Sequence, residues 1–112
     1  KEKIKKTMDA LDYMNDPDAV DKCEELKAMD IACDAVIILG ERYHSLALEM
    51  AQKEEDETRK AELLQIAANL EVVPAHRPQT YWQAIQLYWF THLAGTTELN
   101  PWDAMESIMS AI

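Results

Sequence analysis

Residues 26–53 read LKAMDIACDAVIILGERYHSLALEMAQK, and this stretch decides the fold. Leu26, Met29, Cys33, Val36, Gly40, Tyr43, Ala47 and Met50 recur in steps of three and four. That spacing draws a seam along one face of a helix. Between Ile31 and Gly40 the chain is apolar almost all round, through Ala32, Ala35, Val36, Ile37, Ile38 and Leu39. A helix wet on one side would not place so many apolar residues there, so this turn is expected to be covered from several directions.

Upstream, Asn15-Asp16-Pro17 punctuates the chain. Asp16 is suited to cap the long helix and Pro17 to take its first helical position. Residues 1–14 read as a shorter helix with Ile4, Met8 and Leu11 on one face. Downstream, Glu54-Glu55-Asp56-Glu57 is a charged break, and Asp56 is positioned to cap a third helix over about 57–70. The expected buried face of that helix is Leu63, Ile66, Ala67 and Leu70. Two prolines then fix the connection Glu71–Pro78. Thr80 and Gln83 form a capping-box pattern for a fourth helix over about 80–94, with Gly95 as its stop. Tyr81, Trp82, Ile85, Leu87, Tyr88, Trp89, Phe90 and Leu93 fall on every face of it, a pattern normal for a helix inside a larger protein. Thr96–Asp103 reads as a loop, and 104–112 as a short helical turn or an unstructured end.

Composition narrows the class. A chain of 112 residues, 48% hydrophobic, with only 2 Gly and 4 Pro, favours helices over many short strands. The net charge of -10 repels phosphate backbones, so nucleic acid is not an expected partner. The charge is uneven. Residues 1–60 carry 16 acidic and 10 basic side chains, whereas 61–112 carry 5 and 1. The first part is a solvated surface; the second, poor in charge and rich in aromatics, expects a neighbour. No run of 18 apolar residues is present, so no membrane span is expected. The opening Lys1-Glu2-Lys3-Ile4 has no apolar core behind it and is not a signal peptide. It also lacks an initiator Met, which suggests a start within a longer protein. Cys23 and Cys33 would lie about 15 Å apart along one helix, too far to bridge. They read as reduced thiols of a cytoplasmic protein.

Each constellation that resembles chemistry has a plainer reading that is preferred. In Cys23-Glu24-Glu25 the thiol and Glu25 do not share a helical face, and nearby acids disfavour a thiolate. Glu41-Arg42-Tyr43-His44 has the Glu-x-x-His spacing of di-metal bundles, which need two such motifs and two further Glu, so a surface ion pair is preferred. His76 and Arg77, between Pro74 and Pro78, read as a connector rather than an acid–base or anion-binding pair. His92 on the aromatic helix reads as a satisfied buried histidine. No phosphate loop, nucleophile elbow or zinc array is present. No catalytic, cofactor-binding or metal-binding residue is therefore assigned.

The quoted residues resemble a known family. Ala28–Tyr43, Arg59–Ala67 and, most specifically, Val73–Phe90 followed by Thr97–Asp103 are similar to the glycyl radical enzymes of the pyruvate formate-lyase (formate acetyltransferase) type. The resemblance covers about residues 1–104; residues 105–112 diverge as a C-terminal tail. It implies an α/β barrel wrapped by helices, with this chain in the helical wrapping of the N-terminal half. It implies lyase, transferase or dehydratase chemistry in anaerobic metabolism. In the family, an activase using S-adenosylmethionine and an iron–sulfur cluster installs a radical on a glycine, and a cysteine receives it. The family's cysteine loop and glycine loop are not matched here; Cys23 and Glu25 repeat a Cys-x-Glu spacing in the wrong context.

The expectation is thus an all-α antiparallel bundle of about four helices, one of them long, and a fragment of a glycyl radical lyase or dehydratase inactive by itself. Its partner would be the rest of the parent enzyme, or a second copy, met through Trp82, Tyr88, Trp89 and Phe90. The competing expectation is a non-enzymatic helical module for self-association or partner binding.

Overall fold

The computed structural model of the chain describes residues 1–97. The expected loop beyond Thr97 and the tail 105–112 lie outside the described residues. Those described form four helices and no strand: α1 (Glu2–Asp9), α2 (Ala19–Lys53), α3 (Glu57–Leu70) and α4 (Tyr81–Thr97). The all-α expectation stands. No described helix is long and apolar enough to cross a membrane. The chain divides into two compact units, Lys1–Ala35 and Val36–Ile112, with α2 contributing to both.

In the first unit, α1 is shorter than the expected 1–14. Asp12 ends it by accepting the backbone N–H groups of Met14 (3.0 Å) and Asn15 (3.2 Å) and the Asn15 amide (2.7 Å). A short carboxylate that satisfies the backbone locally competes with helix continuation. Ile4, Met8 and Leu11 still share the less exposed face. Asp16 behaves as expected of a cap: its carboxylate accepts from Asp18 N–H at 3.1 Å, and Lys22 Nζ donates to it at 2.6 Å. The Lys22 ammonium, then the Asp18 N–H, hold the Asp16 carboxyl below the usual carboxylate range. The helix begins at Ala19, so Pro17 lies in the turn before it and not at its first position as expected.

The long helix ends at Lys53 as expected, but its inward stripe is not quite the expected seam. The less exposed positions include Cys23, Leu26, Asp30, Cys33, Ile37, Gly40, His44, Ala47 and Ala51, again in threes and fours, with Val36 and Leu39 beside them. Leu26, Cys33, Val36, Gly40 and Ala47 were expected; Met29, Tyr43 and Met50 are exposed instead, one place before Asp30, His44 and Ala51. Two polar residues take stripe positions because each has a partner. Lys1 Nζ reaches Asp30 at 3.2 Å, and His44 Nε2 lies 3.6 Å from Glu71 Oε1. The expected all-round cover of Ile31–Gly40 is absent among the described residues: Ile31 is 69% exposed and Ile38 is exposed.

The second unit holds most of the core. Asp56 caps α3 by accepting from Thr58 N–H at 3.0 Å. Leu63, Ala67 and Leu70 are buried as expected, whereas Ile66 points out and Asn69 points in. The connector brings Val73, 0% exposed, to the centre of the unit and carries a cis Val73–Pro74 bond. Full burial of a valine contributes roughly 1.5–3 kcal/mol. Pro74 approaches Gly40 so closely that a Cβ there would sit 2.6 Å from Pro74 Cδ and 3.9 Å from Phe90 Cε1. Gly40 is therefore the notch in α2 that admits the connector. Thr80 Oγ1 accepts from Gln83 N–H at 3.2 Å, while the Gln83 side chain returns to Gln79 N–H at 2.8 Å rather than to Thr80. The cap thus spans one residue more than the expected box. Gly95 does not stop α4, since it stays helical with no positive φ.

Candidate functional site

A large concave surface among the described residues lies in the second unit, where α3 packs on α4. It is a groove of about 790 Å³. Ile66 and Leu70 line it from α3, and Trp82, Ile85, Trp89 and Leu93 from α4, with Tyr43 and Phe90 at its inner edge. Helical spacing explains the lining. Trp82, Ile85, Trp89 and Leu93 follow one another by three or four residues and so share one face of α4. Trp82 is 68% exposed and Trp89 57%. These large aromatic groups stand exposed together on one face of α4.

The floor of the groove is polar and ordered. Gln65 Nε2 donates to Asn69 Oδ1 at 3.0 Å, Asn69 Nδ2 donates to Gln86 Oε1 at 2.8 Å, and Gln86 Nε2 donates to the Ile66 carbonyl at 3.0 Å. Asn69 is 4% exposed, so its amide would cost roughly 1–3 kcal/mol if left unpaired. The chain of amides therefore fixes the register of α3 on α4. Sequence reading missed it because Gln65, Asn69 and Gln86 are common surface residues. The signal that was available is that Asn69 continues the Leu63–Ile66 spacing on α3.

Phe90, expected on the association face with Trp82, Tyr88 and Trp89, is instead buried. Its ring meets Tyr43 edge-on, with centroids 5.6 Å apart and planes at 87°. Position 90 falls between the exposed face and the core, and the core claims it. Tyr88 is half-buried.

The other singled-out residues do not converge. Cys23 and Cys33 are free, half-buried thiols on α2. Cys23 lies beside Tyr13, and their hydrogen bond raises the Tyr13 phenol above its usual value. Glu41 is exposed, and His44 Nε2 lies 3.6 Å from Glu71 Oε1 on the connector rather than against Glu41. His76 and Arg77 are exposed, and the His76 N–H donates to the Val72 carbonyl at 2.7 Å. His92 departs from expectation. Its Nδ1 is buried without a hydrogen-bond partner among the described residues, and its ring tilts against Trp89 at 5.7 Å. Among the described residues no group of three or more His, Cys, Asp or Glu is arranged to hold a metal.

Gly40 is buried in the middle of α2 behind Pro74, and Gly95 is held inside α4. The surface is an apolar trough with amides below and, at its margin, Arg59 donating to Glu62 at 2.6 Å.

The family described as pyruvate formate lyase-like matches residues 1–108. Trans-4-hydroxy-L-proline dehydratase of Clostridioides difficile is 55% identical over 104 residues, which is 93% of this chain and 13% of the relative. Isethionate sulfite-lyase of Desulfovibrio desulfuricans is 40% identical over 98 residues, 88% of this chain and 12% of that protein. The crystal structure of the C. difficile hydroxyproline dehydratase with its substrate bound superposes with a TM-score of 0.84 at 54% identity. The match covers 92% of this chain and 13% of that one. A structure concerned with 1,2-propanediol dehydration in Roseburia inulinivorans gives 0.75 at 38% identity, covering 83% of this chain and 12% of that one. The chain thus spans about an eighth of the length of the relatives it matches.

Proposed function

This chain belongs to the pyruvate formate lyase-like family of glycyl radical enzymes, and we propose that it serves there as a packing element of the helical wrapping around the catalytic barrel. On this reading it performs no chemistry alone. The parent enzyme is a cytoplasmic lyase or dehydratase that breaks a carbon–heteroatom bond by radical chemistry. Similarity to a hydroxyproline dehydratase and a sulfite-lyase favours that branch over formate production. The radical would be installed on a glycine elsewhere in the parent by an activase using S-adenosylmethionine and an iron–sulfur cluster. The catalytic cysteine would also lie elsewhere, and the Trp82–Trp89 trough would be covered by other parts of the parent.

The observation that carries the reading is the pairing of a well-ordered α3–α4 floor with an uncovered apolar trough above it. Such a surface is built to be packed upon. The test is a chimera in which residues 1–104 replace the matching segment of the C. difficile hydroxyproline dehydratase. The expected result is a folded enzyme that acquires the glycyl radical signal on activation and retains turnover, while the chain alone shows none. A chimera that folds and accepts the radical yet never turns over would overturn the packing role. The second reading, a self-association module, draws on the same exposed tryptophans. It requires the isolated chain to form one oligomer of fixed mass across a wide concentration range.

A further inference from the structure

We draw no further inference here: the strongest candidate, the apolar groove between α3 and α4 left open by Ile66, Trp82, Ile85 and Trp89, belongs to the surface already described, and nothing in the structure shows what covers it.

Discussion

Gly40 shows how one residue sets the packing of a unit. Its missing Cβ leaves room for the Pro74 ring, which cannot swing aside because it is closed on the main chain. Gly40→Ala gains roughly 0.5–1 kcal/mol of helix propensity. It loses more to overpacking, about 1–3 kcal/mol. A net fall in the urea midpoint is expected, followed by the helical signal. An unchanged or raised midpoint would show that the connector can retreat. Asn69 makes a second case. Asn69→Ala strands the Gln86 carbonyl and frees the Gln65 amide, at a cost of about 1–3 kcal/mol. Coupling between Asn69→Ala and Gln86→Ala in a double-mutant cycle should fall within about 0.5–3 kcal/mol. Strict additivity of the two would mean that the amide chain does not fix the helix pair. Neither residue was fully legible beforehand. The sequence placed Gly40 on the inward seam without its reason, and the partner that makes Asn69 a core residue lies 17 positions away.

At the scale of elements, the sequence was most legible where caps and periodicity agreed. Asp56 and the Lys53 boundary follow from local chemistry, as does the Thr80 half of the α4 cap. The misreadings share one cause. Ranking positions by apolarity chose Met29, Tyr43 and Met50, but the helix turned Asp30, His44 and Ala51 inward, Asp30 beside the Lys1 ammonium and His44 beside the Glu71 carboxylate. Likewise Gly95 looked like a stop, yet a stop of that kind requires a positive φ that the backbone never adopts. The entry to α2 gives a pH prediction. Asp16 has its carboxyl pKa lowered in the folded chain, so its contribution is present above the unfolded value and is lost as pH falls through the folded one. Its carboxyl resonance should therefore titrate below the usual carboxylate range, and Lys22→Met should bring the midpoint upward. A midpoint that ignores Lys22→Met would remove the ion pair from the cap.

At the scale of the whole molecule, Trp82, Ile85 and Trp89 decide how the isolated chain behaves. They present one apolar face in water, and patches of that kind drive association. The chain alone should bind a hydrophobic dye and gain mass with concentration by light scattering. Replacing Trp82 and Trp89 together by Gln should shift it towards monomer and weaken dye binding without loss of helical signal, because both side chains lie outside the core. Phe90→Gln should act in the opposite sense, since Phe90 packs on Tyr43 inside the unit. Loss of a buried phenylalanine costs about 3–5 kcal/mol, enough to open a small unit and increase association. The contrast separates surface from core among aromatics that the sequence could only group together. If the double tryptophan variant associates as strongly as the parent chain, the trough is not the adhesive surface. The exposed apolar side chains of α2, Ile31 and Ile38 among them, would then be the remaining source of association.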